Sequence, residues 1–553
     1  MASPETLIEG HNTSRHDGGI ALFTTEQPNC VTALASERVS RIKHDGRSEI
    51  AYDYLKDRLD GHNGIVFGGT GDTFSSEYQK HQPLHHHLAH ASSAYFPSGF
   101  NDAAVLVVDG QGPYSKEGQY ASTSIWLGQE NDLKLLEINP EDAFSTQSLG
   151  LFYSAISYYS GMGFLQEGKT MGLAPYGSTS ELYSVLGKYI HLDKDGTYQI
   201  HPKFIEAMFH LSEGKNYFHW ENRIPDKETR TLMEELYTQL GPPHRKGEVV
   251  GKHEMNLAWA AQNILEKAVL GLAQRAKNLT GSNNLCYAGG VALNSVANGL
   301  LQKSEAFNNL FILPAAGDEG QALGRLLYKV HAQNRLPRTY TMQHAYLGPE
   351  YTQDEIESAI LTNNTKVTAI KYDEDDLINN TAARLANGEI IAWWQEGSEI
   401  GPRALGHRSI LANPGIDGMR DHINFHVKHR EWFRPLAPSV PLEDAPDYFA
   451  LSGEAPYMLL VADVRPDKEA RIAAVSHVDH SARPQTVTEQ QNPKYWRLMK
   501  RLGKVTGTPV VLNTSFNDSD EPIVETPSNA VSSFLRMNLD GLVLGDYFIQ
   551  KKV

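Results

Sequence analysis

The stretch Asn284–Leu301 reads NLCYAGGVALNSVANGLL: a short apolar strand, a Gly-Gly turn, then a helix. Asn309–Val330, NLFILPAAGDEGQALGRLLYKV, repeats the plan. Two such units in succession confine the chain to an α/β fold. They also set backbone N–H groups and a helix N-terminus where a phosphate can sit, although a tight turn is the commoner use of any one glycine pair. Strand signals surround them: GGIALFT (Gly18–Thr24), GIVF (Gly64–Phe67), and IWLG with LKLLEI (Ile125–Gly128, Leu133–Ile138) as a hairpin. An amphipathic helix covers His253–Leu272, with Leu257, Ala261, Ile264, Leu265, Ala268 and Leu272 on one stripe. Thr339–Thr365 is polar and suits a linker. A second series follows: VTAIKY, a helix from about Asp375, EIIAWWQ, YMLLVADV, PVVLNTSF and GLVLGDYFI.

A chain of 553 residues is too long for one core and implies two large domains. No apolar run is long enough for a membrane helix. MASPETLIEG carries neither the basic nor the apolar part of an export signal. Cys30 and Cys286 are the sole cysteines, which excludes a disulfide framework and fits a reducing, cytoplasmic setting. The net charge of −16 disfavours nucleic acid as a partner. Against it stands a basic cluster of Arg403, Arg408, Arg420, Lys428, Arg430 and Arg434, which points to a small anionic ligand.

In HHHLAHASSAYFPSGFNDAAVLVVDGQG, His86 and His90 lie one helical turn apart, and the apolar run Ala103–Val108 delivers Asp109 to the end of a buried strand. Two imidazoles and a carboxylate look like three ligands of an open metal site. A surface HxxxH also arises by chance, but a carboxylate at the exit of a buried strand needs a partner. Asp318 is a fourth candidate; as the start of a helix it would also serve as an N-cap, and the two roles are compatible. His85 and His87 point elsewhere on the helix.

His16-Asp17-Gly18-Gly19 makes a turn into a strand, and a histidine there is either a general base or a packed turn residue. SERVSRIKH (Ser36–His44) adds Glu37, Arg38, Arg41 and Lys43, which a solvated face would equally explain. In GPRALGHRS and VKHREWFRPLAPSV, arginines are interleaved with Gly, Pro and aromatic residues that do not belong on a plain solvated helix, so a pocket is favoured. Arg483, Asn513 and Ser515 could complete it at strand ends.

From HDGGIAL through ERVSRIKH, HHLAH, VVDG, SLGLFYSAISYYSGMGFLQEGKTMGLAPYG, YAGGVALN and GDEGQALG to GPRALGHRS, VKHREWFRPLAPSV and NTSFN, the sequence resembles the NodU/CmcH-type O-carbamoyltransferases. The resemblance spans nearly the whole chain. It implies an N-terminal actin/hexokinase-like domain related to the tRNA threonylcarbamoyl-transferase (residues 1–345), a linker at 346–366, and a YrdC-like α/β domain (residues 367–553). It further implies that ATP and carbamoyl phosphate form carbamoyl adenylate in the YrdC-like domain. A hydroxyl of a small-molecule secondary metabolite, such as an antibiotic precursor, then receives the carbamoyl group in the N-terminal domain.

Matched by motif, His86, His90, Asp109 and Asp318 correspond to ligands of Fe(II) or another divalent metal. His16 corresponds to the base that deprotonates the acceptor, and Lys43 to a residue holding the adenylate phosphate or the developing charge. Gly289, Gly290 and Asn294 match the nucleotide-binding turn. Arg403, Lys428, Arg434, Arg483, Asn513 and Ser515 match the pocket for carbamoyl phosphate and ATP, with Mg2+ accompanying the nucleotide. The acceptor pocket falls around Tyr153–Tyr176 and Ile190–Arg245. His407 departs from the family pattern, where asparagine is commoner.

A carbamoyl-dependent hydrogenase-maturation factor would need cysteine-rich zinc fingers, which two cysteines exclude. A tRNA threonylcarbamoylation-type enzyme shares the folds but would want a basic arm. A sugar kinase would explain the glycine turns and not HxxxH, and a non-catalytic metal- or nucleotide-binding regulator would have lost catalytic residues. Homo-oligomerisation is left open, and neither nucleic acid nor a membrane is expected as a partner.

Overall fold

The computed structural model describes residues 7–12, 16–24, 31–58, 85–113, 119–141, 146–163, 165–179, 181–212, 223–245 and 248–552. The strand expected at Gly64–Phe67 and Cys30 lie outside them. The chain is α/β and folds into two compact units, one of Met1–Leu84 with Leu313–Val553 and one of His85–Ile312.

The first unit is built on an eight-stranded sheet. Its order is Val367–Lys371, Tyr547–Lys551, Gly541–Leu544, Ile391–Trp394, Arg408–Ala412, Val511–Ser515, Ala437–Pro441, Gln485–Val487. The run IAWW is apolar throughout because both faces of this sheet are covered. Alternate residues go to opposite sides. Ala392, Trp394, Ile410, Leu512 and Leu544 join the core that includes Val531 and Phe534 of the helix Pro527–Arg536. Ile391, Trp393, Leu411, Val511 and Val543 join the core formed with Leu498, Met499 and Leu502 of the helix Pro493–Thr506.

The polar segment read as a linker carries a helix, Gln353–Thr362, whose Ile356 and Ala359 are buried in the first of these cores. Its start is marked by a capping box, Thr352 with Glu355, a signal that the polar composition obscured. YMLLVADV forms only a two-residue strand, Ala462–Asp463; Met458, Leu459 and Leu460 are buried without extending it. In the same unit a three-stranded antiparallel sheet, Leu7–Asn12, Gly19–Thr24 and Val31–Ala35, packs Ile20, Leu22 and Leu34 on Ala51 and Leu55 of the helix Ser48–Arg58.

The second unit holds a five-stranded sheet ordered Asn309–Ile312, Asn284–Ala288, Asp102–Pro113, Tyr120–Gln129, Asp132–Glu141. The expected hairpin is the antiparallel pair at one edge, and the two glycine-turn strands run parallel to the central strand's side of the sheet. The helix Lys252–Thr280 buries the whole predicted stripe, is capped by Glu254 at its start, and stops at Gly281 in the left-handed conformation.

Arg408 and Glu525 are fully buried in the first unit. The guanidinium lies 3.5 Å from Glu525 Oε1 and stacks 4.2 Å over the Trp394 ring, and Tyr351 donates to the same oxygen at 3.0 Å. Replacing Glu525 with Ala removes the nearest opposite charge from Arg408 in the core, leaving it Glu399 and main-chain oxygens. It should cost about 3–5 kcal/mol, read as a lower urea midpoint of the full chain.

Candidate metal centre and anion pocket

The helix His86–Tyr95 brings His86 and His90 onto one buried face. Their Nε2 atoms lie 3.0 and 3.7 Å from a single oxygen, Asp109 Oδ2, and the two rings meet edge-on at 4.8 Å. Asp109 sits where ladder pairing lapses. Parallel pairing with Asn284–Ala288 ends at Val107, and the antiparallel register shifts between Val108 and Gly112. The other carboxylate oxygen accepts the Gly290 N–H at 2.8 Å. Burial would raise the Asp109 pKa, but the hydrogen bonds with His86 and His90 hold it well below the usual range.

Two glycines make this geometry possible. Gly289 has φ +92°, and a Cβ there would lie 2.2 Å from Val108 O. A Cβ on Gly112 would lie 2.1 Å from the His86 ring. The second glycine of VVDGQG is therefore the room into which the imidazole fits. His87 turns away to Ser124 Oγ (2.7 Å) and Ala121 O (2.9 Å), and burial holds its pKa well below the ordinary value. Two imidazole nitrogens and a dry carboxylate converging on one point fit a borderline divalent metal.

The remaining residues of the expected front-half site lie in the other unit. Gly317 takes the N-cap position and Asp318 the first position of a short 3-10 turn, so Asp318 is not the cap. Its main-chain oxygen accepts from Asn12 Nδ2 at 2.8 Å and its Oδ1 from Gln321 Nε2 at 2.8 Å. His16 Nε2 lies 3.9 Å from Asp318 Oδ2, and His16 Nδ1 lies 2.8 Å from Asp17 Oδ2. Burial would raise the Asp17 pKa, yet its bonds to His16 and His44 keep it far below the ordinary carboxylate range.

Of the SERVSRIKH charges, Arg38 donates to Glu399 O and Gly401 O at 3.2 and 3.1 Å, and Arg41 to Ile523 O at 2.7 Å. Lys43 is exposed and donates to Ser519 O. Its charge acts on Lys428. These cations fasten the N-terminal segment to loops of the eight-stranded sheet within one unit.

The glycine turn Gly289–Gly290 and Asn294 are also engaged internally. Gly290 N–H serves Asp109, and Asn294 caps the helix Ser295–Lys303 while exchanging two 3.0 Å bonds with Gln262. Tyr153, in the stretch expected near the acceptor, donates to Gln262 Oε1 at 2.7 Å.

In the first unit Arg403, Arg430, Arg434 and Arg483 repel one another. Burial, then this repulsion, pushes Arg403 down to about 10 and Arg430 to about 9, and lowers Arg483 well below the ordinary value. Buried Nε atoms of Arg403 and Arg483 and Nη2 of Arg430 have no hydrogen-bond partner. Glu431, at 3.4 Å, serves Arg434 alone among them as an ion pair. Three guanidiniums with unmet donors, gathered beside Arg434, have the chemistry to hold a small anion.

The loop presenting Arg403 is wound around a buried carboxylate: Glu399 Oε1 accepts the N–H groups of Leu405, His407 and Arg408 at 2.7, 2.9 and 3.0 Å. His407 stacks on Tyr346 with centroids 3.7 Å apart, and burial lowers its pKa to about 4, so it packs as a neutral ring. Lys428 Nζ is buried against Ser515 O (2.8 Å), Asn517 O and Asn517 Oδ1 (3.0 Å), which orders the NTSFN loop. Asn513 donates to Ala404 O, Ser439 Oγ and Gln485 Oε1 at 3.1–3.2 Å, leaving its own buried oxygen unmet. The roles of Glu399 and Gly112 are not legible in the sequence, where the spacing of VVDGQG is the one signal for the latter.

The sequence matches the carbamoyltransferase N-terminus family over residues 65–327 and the carbamoyltransferase C-terminus family over residues 382–551. A Synechocystis protein of uncharacterized function is 38% identical over 84% of this chain and 75% of its own length. Nodulation protein NolNO of Sinorhizobium fredii is 33% identical over 99% of this chain and 81% of its own. The chain belongs to the carbamoyltransferase family. A 3'-hydroxymethylcephem-O-carbamoyltransferase of Amycolatopsis lactamdurans is 34% identical to this carbamoyltransferase over 48% of the chain and 49% of the relative. The family is the NodU/CmcH type, and its members transfer carbamoyl groups. Among solved structures, full-length HypF aligns at 13% identity with a TM-score of 0.32 over 59% of this chain and 55% of that one, too loose a likeness to argue from.

Gly289→Ala should force the Val108–Gly290 turn apart and release Asp109 from its amide. Divalent-metal retention by the purified protein, read by elemental analysis after dialysis, should fall about tenfold or more.

Proposed function

We propose that this carbamoyltransferase works in two steps. At the arginine pocket, carbamoyl phosphate, ATP and one water give carbamoyl adenylate, phosphate and pyrophosphate. The acceptor hydroxyl oxygen then bonds to the carbamoyl carbon, the bond from that carbon to the AMP oxygen breaks, and the hydroxyl proton passes to His16 Nε2. The products are the O-carbamoyl ester, AMP and a protonated His16. The observation that carries this reading is the set of buried, unpartnered guanidinium nitrogens of Arg403, Arg430 and Arg483 in a chain whose relatives include a named O-carbamoyltransferase.

Family membership supports assigning residues 1–345 to an actin/hexokinase-like transfer module and 367–553 to a YrdC-like module. Arg403, Arg434 and Arg483 would bind the phosphates, with Lys428 ordering the Ser515–Asn517 loop beside them, and the free oxygen of Asn513 would accept from the carbamoyl amide. Mg2+ would enter with ATP. His86, His90 and Asp109, with Asp318 as the fourth ligand, would hold a divalent metal, Fe(II) by analogy with the family. Once bound, that ion supplies Lewis-acid neutralisation of a phosphate oxygen. Lys43 would hold the adenylate phosphate or the developing negative charge. The acceptor is a small hydroxylated molecule, by analogy with the cephem named for one relative.

Carbamoyl phosphate-dependent exchange of labelled pyrophosphate into ATP tests the first step without an acceptor. The wild type should show it, with AMP rather than ADP as the slow product; ADP would instead mark a kinase. Arg483→Met should lose about 100-fold of the exchange. His86→Ala with His90→Ala should keep exchange within about threefold while losing bound metal and acceptor carbamoylation, since the two steps use different groups. Loss of exchange in that double variant would overturn the division of labour.

A further inference from the structure

The tripeptide His-Asp-Gly occurs at His16–Gly18 and again at His44–Gly46. The two turns are laced together by their backbones. Gly18 N–H donates to Asp45 O at 2.7 Å, and a Cβ on Gly18 would lie 2.5 Å from Gly46 C and O, so nothing larger fits at that crossing. Ser36 N–H closes the other side onto Gly18 O at 2.9 Å. Stitched in this way, the turns aim both histidines at one carboxylate. Asp17 Oδ2 meets His16 Nδ1 at 2.8 Å, and Asp17 Oδ1 meets His44 Nδ1 at 2.8 Å. The second aspartate does otherwise: Asp45 is taken by Arg47, at 2.9 Å to Nε and 2.7 Å to Nη2.

Asp17 and His44 both hold left-handed backbone conformations, φ 59° and 56°, which side chains other than glycine adopt at a cost unless the surroundings impose them. His44 is pinned in turn, its main-chain N–H donating to Glu37 Oε2 at 3.0 Å. A chain of contacts therefore runs Glu37, His44, Asp17, His16, and uses up the inner nitrogen of His16. Its outer nitrogen, Nε2, points toward Asp318 Oδ2 at 3.9 Å.

We infer that Asp17 and His44 are positioning residues for carbamoyl transfer: Asp17 fixes the tautomer and rotation of His16, and His44 clamps the far oxygen of Asp17 so that the carboxylate cannot turn. This rests on His16 being the base of the second step in the reading above. A base whose inner N–H is held by an oriented carboxylate presents its outer lone pair in one direction, and its imidazolium form is stabilised by the same contact. The ERVSRIKH motif thus contributes His44 to the transfer site, whereas its Lys43 reaches Ser519.

The test uses the full-length protein with water as the probe acceptor. Asp17→Asn and His44→Ala should leave carbamoyl phosphate-dependent pyrophosphate–ATP exchange within about threefold of wild type and slow AMP release to water about tenfold or more. His44→Asn, whose amide N–H can replace Nδ1–H, should restore AMP release to within about threefold of wild type. In nitrogen-15 histidine-labelled protein, two hydrogen-bonded Nδ1–H resonances are expected far downfield. Asp17→Asn should remove both; His44→Ala should remove one and move the other. Wild-type AMP release in His44→Ala, or a His16 resonance unmoved in Asp17→Asn, overturns the inference. Absence of exchange in the wild type would overturn the two-step reading instead, and the resonances would still decide whether the clamp exists.

Discussion

A carboxylate buried without partners is expensive enough to unfold a loop, and this chain winds its chemistry around such groups. Asp109 is compensated by two imidazoles on one oxygen and a glycine amide on the other. Glu399 is compensated by three amides of one loop, those of Leu405, His407 and Arg408. Asp17 takes a histidine on each oxygen. In each case the acid comes first and the surrounding turn is the conformation that satisfies it. Glycines recur at these places because the amide donors must come closer than a side chain would allow.

The arginine pocket obeys the opposite logic. Burial, and then repulsion from their neighbours and Arg434, lowers the affinity of Arg403, Arg430 and Arg483 for protons. On the function proposed above, a bound polyanion would relieve that repulsion. Buried donors with no partner are the clearest mark of a ligand in this molecule, since a protein built only for stability would have met them. Both faces of the eight-stranded sheet are packed with apolar side chains, and that packing supplies the rigidity which holds like charges together.

Much of the fold was legible. Continuous apolar runs such as IAWW, the stripe from Leu257 to Leu272 and the two glycine units appear where their patterns place them. The helix Gln353–Thr362 was hidden because its exposed face dominates its composition, while only Ile356 and Ala359 turn inward. YMLLVADV misled in the reverse sense: an apolar run marks burial, and only pairing partners decide whether burial is a strand. For the candidate site, HxxxH and Asp109 could be seen because helical spacing is local. The clamp by His44 could not, since it depends on two distant turns lying back to back. Lys43, its neighbour, donates to Ser519 O.

The discontinuous unit has a consequence for how the protein is made. Met1–Leu84 and Leu313–Val553 belong together, with all of His85–Ile312 between them in the chain. The three-stranded sheet is synthesised well before the loops to which Arg38 and Arg41 bind. Contacts of such long sequence separation close late and slowly. Until then the early strands must wait with their apolar face uncovered beyond the helix Ser48–Arg58, while the intervening unit can complete its own sheet. The residues that carry His16 and His44 are thus made long before much of their final surroundings.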